Sequence, residues 1–432
     1  LATLLPKDTV LEIMVVADCE WPNRPYSDAS ALPPLRPSPY AATQQIDRKL
    51  PRSRRMRRLL DPSTRWYDGR DPNEDVERLT ELTDFGKNPG GLRARIHVPA
   101  TLSEHPALVV VLHGCTQTAE AYDRGSGWSR LADRNGFVLL YPEQIRTNNA
   151  NLCFNWFEPG DIARDIGEAS SIRQMIEAVV TSHGIDRSRV FVTGLSAGGA
   201  MASVMLATYP ETFAGGGIIA GLPYGCATSV QEAFGVMRAR GTNRPAALAE
   251  LVRRASSHDG PWPTISVWHG TGDLTVNPGN AEAIVDQWLP LHGVARGSSN
   301  ADLVDGYPHR AWRDADGRIV IEAYSISGMG HGTPLDAGGA DPFEVAGPHM
   351  LDVAISSSRR LAEFWGLTGD TVSQRQKVDR PTQQDTSPIG IGASLAPRVT
   401  RAQRLHPETN DRAAVDVRRI IEDALRAGGL MN

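Results

Sequence analysis

The stretch Gly194-Leu195-Ser196-Ala197-Gly198-Gly199 constrains this chain more than any other. The apolar run Val190-Phe191-Val192 before it reads as a buried strand, and residues 200–207 after it read as a helix. A strand that passes into a helix through Gly-x-Ser-x-Gly is a nucleophile elbow. The turn is too tight for Cβ atoms at the flanking positions, and it lifts the serine hydroxyl above the sheet. Five residues alone match this pattern often by chance, so the weight lies on the strand before and the helix after.

The same alternation runs through the surrounding chain. Residues 107–112 and 137–142 are continuous apolar runs, as expected of strands covered on both faces. Residues 128–135 and 169–183 carry helical periodicity, and a glycine follows each, Gly136 and Gly184. Further strands are expected at 214–220 and 264–268, with 319–324 as the last. Helices fit at 280–289 and 351–365, and residues 93–99 alternate like the edge strand of an antiparallel hairpin. Strand and helix in alternation call for an α/β fold, a mostly parallel sheet with helices on both faces. Residues 221–260 break the rhythm and are expected to form a small lid-like insertion over the carboxyl edge of the sheet, where such folds bind ligands.

The catalytic domain is therefore expected at 79–366. Residues 1–78, rich in Pro, Arg and Asp, read as a disordered N-terminal extension, with a basic arm at 48–58 and no convincing signal peptide. Residues 367–412 read as a polar linker, and 413–427 as a short amphipathic helix. A net charge of -5 argues against nucleic acid as the partner, and no apolar stretch is long enough to span a bilayer. The four cysteines, Cys19, Cys115, Cys153 and Cys226, lack metal-site spacing and suffice for a single bridge. The pair is left open.

A serine attacks a carbonyl only with a base beside it, and a histidine base needs a carboxylate to fix its tautomer. In the α/β-hydrolase order the acid and then the histidine follow the serine. Ser266-Val267-Trp268-His269-Gly270-Thr271-Gly272-Asp273 is a strand ending in a glycine-containing turn with Asp273 at its tip. Asp259 and Asp286 are weaker candidates, one in the insertion and one within a helix. Gly328-Met329-Gly330-His331-Gly332 follows the last expected strand and presents His331 as the base. His269 is the rival, but it lies too close to Asp273 along the chain to bridge that acid and Ser196. His258, His292 and His349 read as surface or helix residues. Two backbone amides must face the developing oxyanion: Ala197, after the nucleophile, and Cys115, in the turn Leu112-His113-Gly114-Cys115. His113 is read as a structural support of that turn, and Cys115 has no base to make it a nucleophile. Trp156 and Tyr224 are the candidates for lining an apolar acyl pocket.

Several spaced motifs together carry a resemblance over about residues 79–366. They are Leu112-His113-Gly114-Cys115-Thr116-Gln117, Gly127-Trp128, Tyr141-Pro142-Glu143-Gln144, Asn155-Trp156-Phe157, the elbow itself and Gly328-Met329-Gly330-His331-Gly332. With them the chain resembles the poly(3-hydroxybutyrate) (PHB) depolymerase family esterases, relatives of the feruloyl and acetyl-xylan esterases of carbohydrate esterase family one. The resemblance implies an α/β-hydrolase fold and hydrolysis of small, oligomeric or polymeric carboxylic esters through an acyl-enzyme, with no metal or organic cofactor. It maps nucleophile, acid and base onto Ser196, Asp273 and His331, and the oxyanion donors onto Cys115 and Ala197. It also implies an extracellular protein, with a cytoplasmic one as the alternative. The competing functions are a feruloyl or acetyl-xylan esterase, a prolyl-peptidase-like serine hydrolase, and a binding protein on a hydrolase scaffold. Within the esterases, residues 367–432 are too short and polar for a polymer-binding module, which favours soluble oligomers or small esters.

Overall fold

The computed structural model describes residues 77–240, 245–339 and 343–369. The expected extension up to Val76, the basic arm, the linker from Asp370 and the C-terminal helix lie outside the described residues. Six strands form the parallel centre of a ten-stranded sheet: β3 (Leu108–Leu112), β4 (Val138–Glu143), β5 (Val190–Leu195), β6 (Gly215–Ile219), β7 (Thr264–Gly270) and β10 (Ile319–Ile326). Antiparallel strands extend it at both sides, β1 (Thr80–Glu81) and β2 (Arg93–His97) beyond β4, and β9 (Tyr307–Arg313) and β8 (Asn300–Val304) beyond β10. The spatial order is β1-β2-β4-β3-β5-β6-β7-β10-β9-β8.

The apolar runs explain the layering. Successive side chains on a strand point to opposite faces, so a run without polar interruption feeds two cores. Leu108, Val110 and Leu112 of β3 enter one cluster with Val138, Leu140, Val190 and Val192. Val109 and Val111 enter the other with Leu139, Tyr141 and Phe191. The first face is covered by α4 (Gly167–His183), α5 (Ala197–Thr208) and α8 (Gly279–Trp288), and the second by α1 (Ala119–Ser126), α2 (Trp128–Asn135) and α9 (Ser357–Phe364). Each such aliphatic side chain contributes about 1.5–3 kcal/mol relative to exposure. Every residue of α5 is buried, as its apolar sequence all round the helix requires.

Four expectations need correction. Residues 93–97 do not form the edge, because β1 pairs outside β2. The hairpin β8–β9 was not anticipated: β8 is almost wholly exposed and only five residues long, with Asn300 and Asp302 among its apolar residues, and Pro308 lies in β9, so neither carries a clear strand signal. Its turn was nonetheless written in Asp305-Gly306, both at positive φ, the two-residue turn that suits a twisted hairpin. β10 is not the last strand, since β11 (Thr333–Leu335) and β12 (Met350–Asp352) pair in a small separate sheet. That pairing takes Leu351 and Asp352 out of the expected helix, and α9 starts at the Ser356 cap, whose hydroxyl accepts from the Arg359 amide. The 221–260 insertion contains α6 (Val230–Met237) and α7 (Pro245–Ala255), the helix α3 (Pro159–Ile162) having preceded α4. No described helix is long and apolar enough to cross a membrane.

Candidate active site

The elbow is built from steric exclusion. Ser196 closes β5 at φ 57°, ψ -117°, held by its amide donating to the Ile219 carbonyl of β6 at 2.9 Å. A non-glycine residue in such a conformation costs about 1–3 kcal/mol and persists only where its surroundings force it. The glycines beside it are required for a different reason from the serine's own bend. A Cβ on Gly194 would lie 2.4 Å from the Gly198 carbonyl oxygen, and one on Gly198 would lie 2.3 Å from the Leu112 carbonyl oxygen. α5 thus starts with its backbone pressed against the end of β3.

Three side chains from the ends of three strands meet at this point. Ser196 Oγ donates to His331 Nε2 at 2.9 Å, and His331 Nδ1 donates to Asp273 Oδ2 at 2.7 Å. Asp273 is reached through the turn after β7, where its Oδ1 accepts the amides of Thr275 and Val276 at 2.8 and 2.9 Å. Burial opposes its ionisation, but the hydrogen bonds from His269 and His331 outweigh that and hold the carboxyl well below its usual range. His331 is supported from behind by His349, whose Nδ1 donates to the His331 carbonyl at 3.1 Å. The reading of His349 as a surface or helix residue is corrected: it sits at φ 60° in the turn before β12, half-buried beside the His331 ring. Asp259 and Asp286 lie elsewhere, Asp286 pairing with Arg296.

The turn after β3 carries the second candidate oxyanion amide, that of Cys115. His113 is buried, its Nδ1 donating to the Gly114 carbonyl at 2.8 Å and its Nε2 accepting the Gln144 amide at 3.1 Å. The Gly114 amide donates to Gln117 Oε1, and Thr116, at φ 66°, donates its amide to the Asn151 carbonyl at 2.7 Å. Among the described residues, the amides of Cys115 and Ala197 donate to nothing, so both are available to a developing negative charge. A disulfide joins Cys115 to Cys153 and settles the pairing that the sequence left open. Cys226 is free, and burial pushes its thiol up to about 12.

Ser196 and Ala197 open onto a cavity of about 250 Å³. Trp156 and Phe157 form part of its wall, α6 supplies Val230, Phe234 and Met237, and Asn148 to Asn151 line the side next to the disulfide. Trp156 is therefore at the cavity. Tyr224 is not: its ring packs on the main core, and its backbone is gripped on both sides by the Gln287 amide at 2.9 Å. Sequence reasoning passed over the α6 residues, although Val230, Ala233, Phe234 and Met237 stand at helical spacing in the insertion. No group of acidic, histidine and cysteine side chains among the described residues is arranged to hold a metal.

A strained serine, a histidine and an acid joined by hydrogen bonds, beside two amides without acceptors, form an arrangement that could move one proton and receive one oxyanion. The family model described as Esterase PHB depolymerase matches residues 94–302. The chain is 48% identical to poly(3-hydroxyalkanoate) depolymerase C of Paucimonas lemoignei over 299 residues, 69% of this chain and 72% of that protein. It is 31% identical to feruloyl esterase B of Talaromyces stipitatus, over 61% of this chain and 75% of that one. Among solved structures, an acetyl xylan esterase from Aspergillus awamori superposes with a TM-score of 0.57 at 26% identity, covering 67% of this chain and 99% of the other. The fold is of the α/β-hydrolase type.

Proposed function

The chain belongs to the PHB depolymerase family of esterases and is a carboxylic ester hydrolase, and from that premise we propose that it cleaves poly- or oligo-hydroxyalkanoate-type esters through an acyl-enzyme on Ser196. In this reading His331 Nε2 takes the Ser196 proton as Oγ attacks the ester carbonyl. The proton passes to the departing alkoxide. A water, deprotonated by the same nitrogen, then releases the carboxylic acid and returns the proton to Ser196. Asp273 holds the imidazole in the required tautomer. The Cys115 and Ala197 amides receive the oxyanion, and a donor of that kind accounts for about 10²–10³ in kcat.

The observation that carries the reading is the continuous hydrogen-bond chain Ser196–His331–Asp273 at the mouth of the 250 Å³ cavity. The substrate class is supported by the 48% identity to the poly(3-hydroxyalkanoate) depolymerase, against 31% to the feruloyl esterase. The aromatic wall of Trp156, Phe157 and Phe234 is what a feruloyl group would use, and it keeps the feruloyl reading in play. The Cys115–Cys153 bridge suits an oxidising compartment and supports an extracellular place of action.

Ser196→Ala is expected to abolish hydrolysis of a soluble chromogenic acyl ester while leaving the thermal transition in place. Turnover within tenfold of the parent would refute the acyl-serine. On a panel of hydroxybutyrate oligomers, ethyl ferulate and acetylated xylan, kcat/KM is expected to be highest on the oligomers. A higher value on either of the others overturns the substrate assignment.

A further inference from the structure

His269, at the end of β7, is buried and makes no contact with Ser196 that would let it act as the base. Its Nε2 donates to the Val276 carbonyl at 2.9 Å and lies 3.3 Å from Asp273 Oδ2. The opposite nitrogen, Nδ1, is buried with no hydrogen-bond partner. A buried polar atom without a partner carries a cost, so a residue whose only use was to fill space would be replaced at no loss by an apolar one. What the imidazole supplies is an N–H at one point, between the acid and the far end of the acid's own turn.

That point matters because Oδ2 is shared. It accepts from His331 Nδ1 at 2.7 Å and faces His269 Nε2 at 3.3 Å, while Oδ1 is committed to the Thr275 and Val276 amides. His269 therefore bears on both the direction and the charge of the oxygen that meets the base. A further titratable group beside this trio is His349, behind His331.

We propose that His269 is a positioning residue for ester hydrolysis, one that fixes the Asp273 carboxylate and draws part of its charge from His331. This inference rests on the reading of Ser196, His331 and Asp273 given above. When the second donor is removed, Asp273 turns more freely and its negative charge falls more fully on His331. Catalytic geometry loosens, while the imidazolium of His331 is favoured. The expected consequences are a lower kcat at unchanged KM and an acid limb of kcat/KM displaced to higher pH.

The test compares His269→Phe, which keeps a ring without a donor, with His269→Gln, whose amide nitrogen reaches the place of Nε2. Ser196→Ala is carried alongside. In His269→Phe, kcat is expected to fall about 10- to 100-fold, the range for losing one hydrogen bond to a charged group. The acid limb moves upward, labelling by a fluorophosphonate slows in proportion, and Gln recovers part of each loss. A wild-type kcat and acid limb in His269→Phe overturn the proposal. So does an equal loss in both variants that follows a lowered melting temperature with the acid limb unmoved. If Ser196→Ala still turns over, the underlying triad falls instead, and the two failures are distinct.

Discussion

Gly198→Ala is the sharpest perturbation the structure offers, because one methyl group meets only backbone. The new Cβ would lie 2.3 Å from the Leu112 carbonyl oxygen, 2.5 Å from that of His113 and 2.7 Å from the Leu112 carbonyl carbon. Real Cβ contacts essentially never fall below 3.0 Å, so relief requires a displacement of about 0.7 Å between the start of α5 and the end of β3. No side-chain rotation can absorb it. The two groups forced apart carry the Ala197 and Cys115 amides, so the movement opens the gap that the oxyanion must bridge. Overpacking of this kind destabilises by about 1–3 kcal/mol, and a misplacement approaching 1 Å costs about 10²-fold in rate. The expected outcome is a melting temperature lower by a few degrees and kcat reduced by about two orders of magnitude at nearly constant KM. Steady-state kinetics on a soluble chromogenic ester, with calorimetry on the same preparation, measures both. Gly297→Ala, at a position where a Cβ meets nothing within 4 Å, is the control. Parental kcat and melting temperature in Gly198→Ala would refute the steric account of the elbow.

Three further substitutions test other side chains of the domain. Burial works against a charge on His309, but Glu322 at 3.2 Å and Asp302 at 2.7 Å outweigh it and raise its pKa above the ordinary value. Stability from this group is therefore complete below about pH 6.5 and is lost as pH rises through the folded-state value. Thermal melts across pH 5.5 to 8.5 should show that decline in the parent and a flatter profile in His309→Gln; parallel profiles would exclude the network as its source. Phe234→Ala removes an aromatic wall of the cavity and is expected to raise KM for a hydroxybutyrate oligomer about tenfold with kcat little changed. Tyr224→Phe, whose ring packs away from the cavity, is expected to leave KM where it is, and a rise there would return Tyr224 to the pocket.

The elbow was legible because its requirements are local: an apolar strand, a helix of small residues, and glycines where backbone meets backbone. Asp273 and His331 were legible because each ends a strand at the same edge of the sheet, and topology alone brings such ends together. The cavity wall was not, since α6 acquires meaning only once the insertion has folded back over Ser196. Tyr224 shows the limit from the other side. It lies close to a strand end in sequence, yet Gln287, 63 residues away, decides where its backbone is held. His349 was read as a surface or helix residue because its contact is with a backbone carbonyl, and residue type does not advertise that.

The free thiol of Cys226 shares one apolar cluster with the bridged pair. Disulfides are exchanged by attack of a thiolate, and burial of the Cys226 thiol disfavours that ionised form. Burial of Cys226 therefore acts as chemical insulation. The thiol of the cluster is thereby held in the protonated form, which does not attack a disulfide. A single substitution that exposed that sulfur further would raise its thiolate fraction and with it the rate of disulfide exchange, without touching any residue that lines the cavity.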